Sequence, residues 1–98
     1  MKAIELILAE RGKQIAKGYT SEHDDTHVNN EINDAALAYA IPDYRIACTY
    51  WPWDHEYYKY DHSKTIDGRI KNLVKAGALI VAEIERLNRL KENEGMEA

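Results

Sequence analysis

Ninety-eight residues with 13 basic and 17 acidic side chains, a net charge of −4, are short for two domains and too acidic for general binding to a nucleic-acid backbone. The lone Cys48 excludes an internal disulfide, and with it the small secreted scaffolds that need several, which points to a reducing cytoplasm. No apolar run approaches membrane-spanning length, and Lys2 and Glu5 place charge too early for a signal-peptide core; a single soluble domain over 1–98 is expected.

Ile4, Leu8, Arg11 and Ile15 recur at helical spacing, Leu6 and Ile7 widen the stripe, and Gly18 stands where a helix C-terminus needs a left-handed residue, so a first helix is predicted over 2–17. Residues 18–29 are polar, acidic and aperiodic, and read as an ordered loop with Asn29 or Asn30 available as a cap. Ile32, Ala35, Ala36 and Tyr39 restore the helical period, and Pro42 disfavours helix at Ile41, which predicts a second helix over 30–40. Residues 41–63 hold both tryptophans, Pro52 and five of the seven tyrosines without a clean period. That segment is expected to be irregular, with room for a short helix or β element.

From a cap at Ser63 or Thr65, the residues Ile66, Ile70, Leu73, Gly77, Ile80, Ile84 and Leu87 alternate steps of four and three. This is a heptad seam on a helix predicted over 64–91, about 40 Å long, followed by a polar tail at 92–98 that should fray. The fold class is mainly α, with a long amphipathic C-terminal helix. Neither shorter helix can cover the whole seam, so a homo-oligomer is expected through Ile70, Leu73, Gly77, Ile80 and Ile84, with Gly77 allowing close backbone approach.

Two groups of residues have the composition of a site. Tyr19, Trp51, Trp53, Tyr57, Tyr58, Lys59 and Tyr60, with Arg11 on the first helix, combine rings that stack on a base with cations that pair with phosphate. Core and pocket are equally compatible with the tryptophans, whereas Tyr57, Tyr58 and Tyr60 suit a surface that is half wet. The acidic stretch offers His23, Asp24, His27, Glu31 and Asp34, which have the chemistry to ligate a metal but no recognised metal spacing. The alternative role for Asp24 and Asp25 is to organise the loop and pair with Arg11, a charge set inside an apolar stripe.

Read together, Glu10-Arg11, Gly18-Tyr19-Thr20, Glu22-His23-Asp24-Asp25, Trp51-Pro52-Trp53 and Lys75-Ala76-Gly77-Ala78-Leu79-Ile80 make the chain resemble small proteins of tailed phages and prophages. That resemblance implies expression in a bacterial cytoplasm. Ile15, Gly18, Tyr19, Asp24 and Asp25, with Tyr60-Asp61-His62 before the last helix, are similar to the ryanodine-receptor repeat domain, although Gln14 and His62 stand where that domain carries Arg. It implies a nucleotide-like ligand. Glu31 and Asp34 resemble one acidic motif of the MazG-like pyrophosphohydrolases, without the second. The reading that follows is a non-catalytic accessory protein that binds a nucleotide-derived small molecule through Arg11, Tyr19, Asp24, Asp25, Trp51, Trp53, Tyr57, Tyr58, Lys59 and Tyr60, with no cofactor and no membrane partner. Its concrete form is sequestration of a host defence signal. The alternatives are a Mg²⁺-dependent pyrophosphohydrolase and a module that docks on a host protein.

Overall fold

The computed structural model describes residues 2–97, with side chains as far as residue 95. Among them every regular element is helical, and no strand forms in the aromatic segment. In chain order these are α1 (Ala3–Ala16), the single turn α2 (Ser21–Asp24), α3 (Glu31–Ala40), the single turn α4 (Tyr44–Ala47) and α5 (Ile66–Glu97), with 3₁₀ turns at Cys48–Tyr50 and His55–Tyr57.

Most helix ends have an identifiable local cause. α1 stops in a Schellman turn, in which Gly18 at φ 108° donates to the Ile15 carbonyl and the Tyr19 amide donates to the Gln14 carbonyl. Thr20 accepts from the His23 amide through its hydroxyl, which is enough to wind α2 inside the expected loop. Ahead of α3, Asn30 is left-handed at φ 66° and its side chain caps nothing; the Glu31 carboxylate instead accepts from the Asn29 amide at 2.8 Å. Thr65 caps α5 by accepting from the Gly68 amide at 3.0 Å. α5 then runs on to Glu97, past the frayed end expected after 91, because Asn93 and Gly95 are the only weak helix formers between 91 and 97.

The core lies where α3 meets α5. Ile32, Ala35, Ala36 and Tyr39 from α3 pack against Ala76, Leu79 and Ala82 from α5. Four of these seven are alanines, so the helices approach closely and bury little volume of their own. The aromatic segment supplies the missing bulk, with Trp51, Trp53, Tyr58 and Tyr60 laid against the cluster. α1 crosses α5 on another side, and there Gly77 earns its place: a Cβ on it would stand 2.8 Å from Ile7 Cδ1.

That contact corrects one expectation, since the space left by Gly77 is filled inside the chain by Ile7 and not by a second copy. The inward face of α5 also differs from the one its large residues suggest. Its buried stripe is Gly68, Asn72, Ala76, Leu79, Ala82 and Arg86, whereas Ile70, Leu73, Ile80 and Ile84 remain 43%, 44%, 49% and 52% exposed. At 100° per residue the seam is offset by well over 90° from that stripe.

An ion pair enters the interior between α1 and α2. Arg11 is buried, and its Nη2 donates to Asp24 Oδ2 at 2.9 Å, its Nη1 to the Tyr19 carbonyl at 3.2 Å, and its Nε to Glu85 Oε1 at 3.3 Å. Asp24 is buried with it, whereas Asp25 lies outside and pairs with Arg89 at 2.8 Å. Burial pushes the Asp24 carboxyl above the usual carboxylate range, while the Arg11 guanidinium pulls in the opposite direction. The two aspartates should therefore respond very differently to substitution. Asp24→Asn leaves a buried guanidinium with only the half-exposed Glu85 opposite it and should cost about 3 kcal/mol. Asp25→Asn breaks an exposed pair and should cost less than about 1 kcal/mol. Urea melts of the two variants at neutral pH, with chelator present, measure the difference; equal losses would show that the buried pair has no special weight.

Candidate functional site

Pro42 has a consequence at the end of α3. A proline has no N–H, so the Ala38 carbonyl, which would accept from residue 42 in a continuing helix, is left without its partner. The Tyr58 hydroxyl donates to it instead. Tyr60 donates to the Ile41 and Pro42 carbonyls at 3.1 and 3.0 Å, and the Tyr39 hydroxyl accepts from the Lys59 amide at 2.9 Å. Residues 58–60 are thereby laced to the C-terminal end of α3. Burial raises the Tyr39 hydroxyl to about 12 and the Tyr58 hydroxyl further, so both stay protonated as these roles require.

The tryptophans are organised by the same frame. Trp51 stacks on Tyr58 with centroids 4.8 Å apart, meets Tyr39 and Trp53 edge to face at 5.7 and 5.3 Å, and donates from Nε1 to the Asp54 carbonyl at 3.0 Å. Trp53 reaches the other way, 6.4 Å from Tyr19 and 5.0 Å from the His27 ring. Tyr19 is delivered there by the left-handed turn at Gly18 and held by the Arg11 bond to its carbonyl.

Between α1 and the aromatic segment lies a cleft in two adjoining parts. A narrow slot of about 120 Å³ has Gln14, Tyr39 and Trp51 at its floor and Lys59 at its rim. A wider hollow of about 380 Å³ is bounded by Gly18, His23, His27 and Asp54. Tyr19, Trp53, Tyr57 and Lys17 line both parts. The wider part falls within the size range of small-molecule sites. Lys17 and Lys59 have no acidic partner among the described residues, while Lys75, at the back of the slot, is neutralised by Glu10 at 2.9 Å. Two buried polar atoms, Oε1 of Gln14 in the slot lining and Nε2 of His27 in the hollow lining, have no hydrogen-bond partner among the described residues. Burial, reinforced by the neighbouring His23, lowers the His27 pKa and favours the neutral ring.

Of the residues named from sequence, Tyr19, Trp51, Trp53, Tyr57 and Lys59 converge on the cleft. Arg11, Asp24 and Asp25 stand outside it as supports, and Tyr58 and Tyr60, each half-buried, are bonded to carbonyls of α3 and of the two residues after it. Both roles considered for the tryptophans are realised, since each packs on the core and lines the slot. Gln14, Lys17 and Tyr39 were missed: Gln14 and Lys17 read as the polar side of α1, and Tyr39 as a core position. The possible metal set does not assemble. Asp24 is engaged by Arg11, Glu31 by the Asn29 amide, and among the described residues no three His, Cys, Asp or Glu converge on a common point.

Comparison with family models, with curated proteins and with solved structures gave no match. The cleft has to be read on its own chemistry.

Because folding holds the His27 pKa down, the unfolded chain binds more protons than the folded one once the pH falls through the ordinary histidine value of 6.5. Stability should therefore fall as the pH is lowered from about 7 towards about 5, and His27→Gln should flatten part of that slope. Urea midpoints across this range test it; an unchanged slope in the variant would remove His27 as the source.

Proposed function

We propose that the cleft binds a planar, anionic small molecule of the nucleotide class and holds it without transforming it. The observation that carries this reading is the lining of the cleft: Tyr19, Trp53 and Tyr57, shared by its two parts, offer ring faces and edges, and Lys17 and Lys59 supply cations with no acidic partner among the described residues. A base enters between rings, its exocyclic amino group donates to Gln14 Oε1, and a phosphate stays at the rim, where a lysine reaches it without the penalty of burial. Binding is favoured over turnover because His27, the neutral imidazole in the hollow, has no hydroxyl or thiol within hydrogen-bond reach of its Nε2 that it might activate. In a phage setting this becomes capture of a host signalling nucleotide. The Mg²⁺ pyrophosphohydrolase alternative lacks such a supporting observation.

The test is thermal shift of the full chain against mononucleotides, cyclic nucleotides and ADP-ribose-type molecules, with and without Mg²⁺. At least one should raise the Tm without being consumed. Tyr57→Ala is the cleanest variant, because that residue is 56% exposed and outside the buried cluster. Loss of one stacking partner is worth about 1–3 kcal/mol, or roughly five- to 150-fold in affinity, with the Tm of the free protein nearly unchanged. Equal binding by Tyr57→Ala, or Mg²⁺-dependent loss of the nucleotide, would overturn the reading.

We infer further that the protein works as a homo-oligomer. The support is the seam of Ile70, Leu73, Ile80 and Ile84, continued by Leu87 at 48% exposure, with Ile4 and Leu8 of α1 also exposed. Together these offer several hundred Å² of apolar surface, of the order of the roughly 800 Å² that each partner buries in a stable dimer. A second copy is the fitting occupant because the seam is repetitive and self-complementary when two copies pack antiparallel. Sedimentation should give a dimer or larger species at micromolar concentration, and Ile80→Asp with Ile84→Asp should convert it to monomer. A monomeric wild type defeats the proposal.

A further inference from the structure

A second hollow lies at the other end of the aromatic segment and shares no lining residue with the cleft. It is open, about 920 Å³, and set between the start of α4, residues 60–65 and the first two turns of α5. Its charged groups are three cations, Arg45, Lys64 and Arg69, and two carboxylates, Asp43 and Asp61, with His62 beside them. The carboxylates are already engaged. Asp43 takes the Arg45 guanidinium at 3.0 Å, and Asp61 accepts from the Ser63 amide at 2.9 Å and faces Lys71 at 4.0 Å. Hydrogen bonds from Arg45 and Ser63 hold both below the usual carboxylate range, so both are ionised and their charges are matched nearby.

Lys64 and Arg69 are left over. Neither has a carboxylate partner among the described residues, and the Nη1 of Arg69 is buried with no acceptor at all. A buried guanidinium N–H without an acceptor is costly, and the side chain that carries it lines the hollow. The wall is built rather than loose. Asn72, itself buried, grips Asp61 by accepting from its amide at 2.8 Å and donating to its carbonyl at 3.1 Å, which fixes the strand of chain that carries Lys64. Gly68 permits that strand to lie on α5, since a Cβ there would stand 2.3 Å from Ser63 Oγ. Opposite, Tyr44 and His62 meet edge to face at 4.3 Å, and Tyr60 lies 5.2 Å from Tyr44. Two unmatched cations facing a ring surface, in a hollow of ligand size, define the occupant by its chemistry.

We propose that this hollow is a second binding site, for a phosphorylated small molecule whose oxyanion sits on Arg69 and Lys64 and whose organic part lies against Tyr44 and His62. Arg69 supplies the planar fork that fits an oxyanion, and Lys64 adds a point charge. The proposal is independent of the one for the aromatic cleft, and the two fail separately.

The experiment is a titration of the uniformly ¹⁵N-labelled full chain with inorganic phosphate and with phenyl phosphate, read from amide and Arg Nε resonances. Saturable shifts should centre on Lys64, Thr65, Ile66 and Arg69, with phenyl phosphate binding the more tightly. Arg69→Gln should weaken phenyl phosphate by about tenfold or more, the loss expected when one charge-assisted contact goes. Lys64→Gln, a change at an exposed residue, should weaken it about threefold and decides the matter if Arg69→Gln does not fold. Shifts that never saturate, that centre on Lys17 and Lys59 instead, or that persist unchanged in Lys64→Gln would overturn the proposal.

Discussion

The guanidinium of Arg11 is the point on which the geometry of the cleft depends. It is one buried cation with three acceptors on three parts of the chain: Asp24 at the end of α2, the carbonyl of Tyr19 after α1, and Glu85 on α5. Burying such a pair contributes little net stability, because desolvation of both ions offsets most of their attraction. What it fixes is direction. An apolar pair of the same volume would fill the space but would not hold the Tyr19 carbonyl, and the Tyr19 ring would then be free to leave Trp53. The histidines of α2 and the loop after it owe their place to the same anchor, together with Arg89 of α5, which holds Asp25 and the Ser21 carbonyl.

The opposite wall is rigid for a different reason. α3 and α5 meet through alanines, which brings the backbones together but leaves few large side chains between them. The rings of residues 51–60 make up the deficit, and they are held by their hydroxyls as much as by their faces. Pro42 ends α3 and frees the Ala38 carbonyl, Tyr58 takes it, Tyr60 bonds the carbonyls of Ile41 and Pro42 just beyond the helix, and Tyr39 accepts from Lys59. A segment with no regular hydrogen bonding of its own is thus pinned along three consecutive residues. Trp51 and Trp53 inherit that rigidity, which is what a stacking site needs if it is to bind without first ordering itself.

Much of this was legible in the sequence. Gly18 and Pro42 mark their helix ends because their backbone requirements are local, and an arginine inside an apolar stripe next to an acidic loop announces a buried pair. Three features were not legible. Large hydrophobic residues reveal a stripe on α5 but not which stripe faces inward, and here α3 selects the small one, Gly68, Ala76 and Ala82, because its own face is alanine. The tyrosines misled for a related reason: an amphipathic ring suits a wet surface and a carbonyl tether equally well, and the choice is made by a distant proline that no pattern around residue 58 reveals. Gln14 and Lys17 escaped notice because a polar residue on an exposed helix side becomes part of a cleft only when another segment stands opposite.

Charge draws these features together. The chain is acidic overall, with a net charge of −4, yet most of the carboxylates near its hollows are matched: Glu10 by Lys75, Asp24 by Arg11, Asp25 by Arg89, Asp43 by Arg45. Pairing removes anions from the local field and, among the described residues, leaves Lys17, Lys59 and the Asp54 carboxylate unpaired at one hollow, and Lys64 and Arg69 unpaired at the other. Beyond about 8 Å in physiological salt the whole-molecule field is largely screened, so at each hollow the nearest charges dominate even though the chain as a whole is acidic. The local sign of the surface is thus set by where the pairs are made and not by the net charge.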